Sequence, residues 1–198
     1  MSFIVRVLAL VLLGFASTPQ AAQIAAAEKI VHEDPFANFK FPQALGSYSY
    51  QGRVQYPRVG LGYGLNYVDR SGATATIAIY DLNTTGVPDG TTDVRVQEEF
   101  EKLNESIKSV AQQGGYQQVS KLENLPLLSK AWLQVNHELL RPDGRRAYTY
   151  SFIRAQGGKF VKIRITAPSP AAYARLPMFL LGVSRSIGLL NPNTAARN

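Results

Sequence analysis

The spacing of apolar residues changes several times along the chain, and each change predicts an element. Residues 7–16 are an unbroken apolar run, preceded by one basic residue, Arg6, and followed by the polar Ser17, Thr18 and Gln20. The run is shorter than the ~20 apolar residues that a membrane crossing needs, and small residues follow it, so it reads as an export signal cut after Ala21 or Ala22. Residues 1–22 are therefore expected to be removed. Alanines mixed with single charges over 22–34 suggest a frayed helical lead-in. One domain is expected over 36–190, with a loose tail over 191–198.

Within the domain the period is first two. Tyr48, Tyr50, Val54 and Tyr56 fall at even positions, as on an edge strand, and Phe36, Phe39 and Phe41 are expected to tuck against the fold. Leu65 and Tyr67 on one side of Asp69-Arg70-Ser71-Gly72, and Ala75, Ile77 and Ile79 on the other, predict a hairpin closed by that turn. After a polar loop over 83–92 the period changes: Val96, Phe100, Leu103, Ile107 and Val110 recur at intervals of four, three, four and three. This is one helical stripe, with Asp93 as N-cap, Glu98 and Glu99 near its positive end, and Gly114 as its stop. The helix is expected to be the main cover of the sheet and to bury Phe100 against it.

Period two then returns, predicting strands over 116–122, 131–139, 146–154 and 160–166. Pro142 and Gly144 make a turn of RPDGR, and QGG at 156–158 makes another. Ser169 and Pro170 open a closing helix that continues through Leu176, Phe179, Leu180, Val183 and Ile187, with Pro177 marking a bend or restart near Leu176. Helices that interrupt and close an antiparallel series predict an α+β fold: a largely antiparallel sheet packed by a long central helix and a C-terminal helix.

Several chemistries are then disfavoured. Gly60, Gly62 and Gly64 alternate, but a phosphate or dinucleotide loop opens a helix, and here a strand follows with no accompanying lysine. These glycines instead mark a bulge or a place where another segment crosses closely, and no cofactor is expected. The chain has no cysteine, which excludes disulfides, thiolate chemistry and a lipidated cysteine. His32 and His137 belong to no ligand-spaced motif, so no metal site is expected. His137, beside Glu138, could serve as a base for Ser129 or another hydroxyl, but no G-x-S-x-G elbow locates a nucleophile. A small envelope hydrolase using His137 is the alternative reading, and it requires a carboxylate that orients the imidazole.

Charge changes the picture more. Residues 23–136 carry 10 basic and 12 acidic side chains, whereas 137–198 carry 10 basic and only Glu138 and Asp143. Arg145, Arg146, Arg154, Lys162 and Arg164 are the candidate binding residues, Lys162 and Arg164 sharing one strand face. Such a field suits an anionic protein, lipid headgroup or glycan. Nucleic acid fits an exported chain poorly, even with Tyr148 and Tyr150 on the neighbouring strand.

The early hairpin, the helix that follows a strand ending IAIYD, the Gly-Gly-Tyr re-entry at Gly114, Gly115 and Tyr116, and the meander beginning around Trp132 together resemble the PsbP and Mog1-like superfamily over residues 41–190. The likeness lies in element order and carries no functional residue across. It implies an accessory or binding protein rather than an enzyme. The expectation from the sequence is an exported, non-catalytic binding or accessory protein of the bacterial envelope, periplasmic or secreted, that contacts an anionic partner.

Overall fold

The computed structural model describes residues 29–126 and 131–190; the expected signal, Ser129 and the expected tail lie outside the described residues. From the N-terminal side run β1 (Ile30–Asp34), β2 (Phe39–Pro42), β3 (Ala44–Leu45), β4 (Tyr48–Gln55), β5 (Tyr63–Asp69) and β6 (Thr74–Tyr80). Helix α1 (Val94–Gln112) follows, then β7 (Gln118–Leu122), β8 (Leu133–Leu140), β9 (Arg146–Gln156) and β10 (Lys159–Ala167). A 3-10 turn at Pro170–Arg175 leads into α2 (Leu176–Ser186).

Strands β3 to β10 form one sheet in the order β3-β4-β5-β6-β10-β9-β8-β7, and β1 pairs with β2 separately. Two meanders, each built from short antiparallel connections, are thus joined where β6 meets β10, with α1 as the long excursion between them. Every pairing is antiparallel, and the α+β class expected from the sequence is what forms.

The two faces of the sheet differ. On one, Leu65, Ile77, Ile163, Phe152 and their neighbours make the main core with α2 and the β1–β2 hairpin. Phe179 of α2 is fully buried there, its ring 4.7 Å from Tyr48 and 6.2 Å from Tyr67. The helix starts at Leu176, directly after the 3-10 turn capped by Ser169, because Pro177 fits a first helical turn but not an interior.

The described part of the expected helical lead-in, Ile30–Asp34, is a strand; residues 22–28 lie outside the described residues. The Asp34 side chain accepts the N–H groups of Phe36 and Ala37 at 3.1 and 3.2 Å, which reverses the chain and lets β1 pair with β2. Its other oxygen accepts the Tyr63 hydroxyl at 2.9 Å, tying the hairpin to the sheet. Phe39 and Phe41 are buried as expected, whereas Phe36 stands at the tip of the reversal and is 93% exposed.

The opposite face is covered by α1, whose N-cap is Asp93, accepting the Arg95 N–H at 2.9 Å. The apolar stripe does not bury evenly. Val96 is buried in a cluster with Tyr80, Ala155 and Phe160, and Ile107 in another with Leu139 and Ala147. Between these two footings Phe100 and Leu103 are only half-buried, and Val110 is 41% exposed. The surface below the middle of the helix is mixed: Thr149 and Ser151 alternate with the apolar Val135 and Ile153, and Lys162 and Arg164 lie alongside on β10. Helix α1 thus crosses a partly polar strip, with a cavity lined by Leu103, Ser151, Lys162 and Arg164 between the two.

A candidate anion-binding cleft

Lys162 and Arg164 are two residues apart on β10 and point to the α1 side. In the register of the sheet Lys162 lies between Ala78 and Ile153, and Arg164 between Thr76 and Ser151. Above them opens a cleft of about 400 Å³, walled by Tyr56, Leu61, Tyr80 and Leu82. It adjoins a smaller chamber of about 140 Å³ against α1, where Leu103, Ser106 and Ser151 contribute. Glu99, Lys162 and Arg164 line both.

A backbone irregularity aims the outer wall. Strand β4 carries a bulge between Tyr50 and Gly52. Before it, Tyr48 and Tyr50 pair with Asp69 and Tyr67 and face the main core; after it, Val54 pairs with Gly64 and the even positions have changed sides. One extra residue reverses the alternation, so Tyr56 reaches the cleft rather than the core. Gly64 makes room for it: a Cβ there would lie 2.6 Å from the Tyr56 hydroxyl. The alternating glycines are thus places of close crossing, with Gly60 against Leu82 and Asn83, Gly62 against Ile79 and Gly64 against Tyr56.

Electrostatically the floor is cationic and uncommitted. Neither Lys162 nor Arg164 has a hydrogen-bond acceptor or a carboxylate at ion-pair distance among the described residues; the Lys162 ammonium lies 5.2 Å from the centroid of the Tyr80 ring. Burial lowers the Lys162 pKa from the ordinary lysine value, opposed by Glu99 and assisted by Arg164. Glu99 is already engaged, accepting the Tyr80 hydroxyl at 3.0 Å and the Lys102 ammonium at 2.8 Å. Burial, with the Glu99 carboxylate second, raises the Tyr80 phenol far above its ordinary range, so it remains a donor. The Ser151 hydroxyl is buried with no hydrogen-bond partner among the described residues.

The five cations singled out from the sequence do not share a face. Arg145 is held by Asp143 in the turn, at 2.7 Å, and Arg146 by Glu138. Arg154 points into the opposite side of the sheet and is 5% exposed. Its guanidinium donates to the Ala131 carbonyl and to Gln156, each at 2.9 Å, and lies 5.7 Å from the Trp132 ring. These three have hydrogen-bond or ion-pair partners within the protein; among the described residues the side chains of Lys162 and Arg164 have none, Lys162 lying only over the Tyr80 ring. Tyr148 and Tyr150 also lie on the side away from Lys162 and Arg164. The cleft's other residues, among them Tyr56, Leu61, Leu82, Glu99 and Ser151, are not among the candidate binding residues read from the sequence.

His137 is buried on the α1 side, opposite Thr149 and Lys121. Its Nδ1 and the Thr149 hydroxyl have no partner among the described residues, and Glu138 lies on the other side of the strand with Arg146. No carboxylate orients the imidazole among the described residues, so the geometry required of a catalytic base is not assembled there. Burial lowers the His137 pKa, and Lys121, Lys108 and Arg164 add to the shift. The sign is fixed: below about pH 6.5 the unfolded chain binds a proton that the folded chain resists, so stability falls as pH drops from about 6.5 through the lower folded value. Urea denaturation of wild type and His137→Gln at about pH 7.5 and 5 checks this. The wild type is expected to lose more stability between the two than the variant; equal losses would clear His137 of the effect.

No protein-family model matches the chain, and no curated protein matches it. What fold and site define is a class: an α+β sheet protein with an amphipathic, cation-floored cleft beneath its long helix.

Proposed function

We propose that the chain is an exported, non-catalytic binding or accessory protein of the bacterial envelope, whose cleft over Lys162 and Arg164 receives an anionic group of its partner. The carrying observation is the convergence of two uncommitted cations and an unpartnered buried hydroxyl, Ser151, on one concave site. Lys162 is half-buried, and a partly desolvated charge without a counter-charge is costly; Arg164 beside it is exposed, so a ligand can reach it. The signal-like N-terminus supports export, and the likeness in element order to the PsbP and Mog1-like superfamily supports an accessory role. Among the described residues no helix is long and apolar enough to cross a membrane.

The test is capture from envelope extracts on wild type and on Lys162→Gln/Arg164→Gln, followed by association kinetics with the captured partner. The double variant is expected to associate more slowly, above all at 0.01 M salt, where the Debye length is ~30 Å against ~8 Å at 0.15 M. Arg145→Gln/Arg146→Gln serves as a control, since those cations are already paired. Unchanged association by the first variant at both salt levels would overturn the assignment.

A further inference from the structure

Resting on that binding reading, we propose that the cleft selects a small amphiphile with a single anionic head: Lys162, Arg164 and Ser151 hold the head, and the wall of Tyr56, Leu61 and Leu82 takes its apolar body.

The head position follows from where the uncommitted donors meet. Lys162 and Arg164 line both the outer cleft and the inner chamber, and Ser151 lies across from Arg164 at the chamber floor. Ser151 is 1% exposed and its hydroxyl is unpartnered, a standing cost in the free protein that one head oxygen removes. Thr149 and His137 on the same face also carry unpartnered groups, but of the three only Ser151 lines the chamber.

The single charge follows from Glu99. This carboxylate stands at the junction of the two spaces, fixed by Tyr80 and Lys102. A head with one negative charge sits between Lys162 and Arg164, whereas a second charge would have to lie nearer the Glu99 carboxylate in a partly desolvated site.

The apolar body follows from the two volumes. The inner chamber, about 140 Å³, admits a head and little else. The outer cleft, about 400 Å³, falls in the range of ~300–1,000 Å³ typical of small-ligand sites and is walled by Leu61, Leu82 and two tyrosines. A bare inorganic anion leaves that wall unused, and an acidic peptide lays polar backbone against it.

Calorimetric titration of the purified chain with decanoate, decanol and inorganic phosphate tests the assignment. Decanoate is expected to bind, and decanol and phosphate to bind at least about tenfold more weakly, since one lacks the charge and the other the apolar body. Ser151→Ala is expected to weaken decanoate about tenfold while the urea midpoint stays level or rises; Lys162→Gln/Arg164→Gln is expected to weaken it about a hundredfold or more. Equal affinity for decanol or phosphate, or an unchanged affinity in Ser151→Ala, overturns the proposal. A Ser151→Ala chain that fails to fold also overturns it, because the hydroxyl would then have a structural partner. Charge-dependent capture of an envelope partner without decanoate binding would sink the amphiphile but leave the binding reading standing. Loss of both would sink both.

Discussion

Truncating Phe179 to Ala is expected to destabilise the protein by roughly 3–5 kcal/mol. The side chain is fully buried and its ring is held between Tyr48 and Tyr67, side chains from β4 and β5 that are themselves fully buried. Those aromatic neighbours are anchored in strands and cannot collapse into the vacated volume, which is the condition for the upper part of the range. Since whole domains are stable by only ~5–15 kcal/mol, such a loss is a large share of the total. Phe100→Ala provides the comparison. That ring, at the middle of α1, is half-buried over the polar strip, and its truncation is expected to cost about 1 kcal/mol, near the average for point substitutions. Urea denaturation of both variants, with the slope of the transition unchanged, measures the difference. If Phe179→Ala cost less than Phe100→Ala, the main core would lie under α1 and the assignment of the two faces would be reversed.

That contrast also shows what the sequence makes legible. Periodicity marked the helical stripe from Val96 to Val110 and its Asp93 cap, because an amphipathic helix imposes its own spacing whatever it packs on. How deeply each stripe residue is buried depends on the surface beneath, and that surface comes from strands far along the chain. Under the middle of α1, Thr149 and Ser151 interrupt the apolar Val135 and Ile153, and Lys162 and Arg164 stand beside them. Likewise the hairpin closed at Asp69 and the restart at Leu176 were legible, since turn chemistry and proline act locally. The strand Ile30–Asp34 was not: its pairing depends on the reversal made by Asp34 and on the Tyr63 hydroxyl, 29 residues away.

The cleft divides in the same manner. The shared face of Lys162 and Arg164 follows from the two-residue repeat of one strand, so it could be read directly. Whether a cation is committed cannot be read so, because the partner of Arg154 is a backbone carbonyl at Ala131, 23 residues away. A signal for Ser151 was present: in the run from Arg146 to Gln156 the odd positions are Ala147, Thr149, Ser151, Ile153 and Ala155, and two hydroxyls interrupt a face that a helix covers. Tyr56 was hidden by the bulge before Gly52, which breaks the alternation on which any reading of faces relies.

Gly62 carries the second large prediction, and it bears on the site as well as on the fold. Its φ is +60°, in the left-handed region, and a Cβ built on it falls on the Ile79 carbonyl, with the Tyr80 Cα at 2.9 Å. Gly62→Ala therefore meets two separate penalties, about 1–2 kcal/mol for the left-handed conformation and about 1–3 kcal/mol for forced displacement of packed atoms, roughly 2–5 kcal/mol together. The obstacle is backbone of β6, paired to β5 at Tyr63 and Ile79, so it cannot swing aside as a side-chain end would. Gly72→Ala isolates the first penalty: its φ is +83°, and the nearest atom to an added Cβ is Pro168 Cγ at 4.0 Å. That variant is expected to lose only the conformational part, about 1–2 kcal/mol, with ligand binding unchanged. Gly62→Ala must instead push Leu61 and the Ile79–Tyr80 end of β6 apart, and both flank the cleft, so decanoate affinity is expected to fall together with stability. Equal stability losses for the two variants in urea would mean that β5 and β6 yield freely at this crossing. The close approach would then not be what fixes the cleft wall.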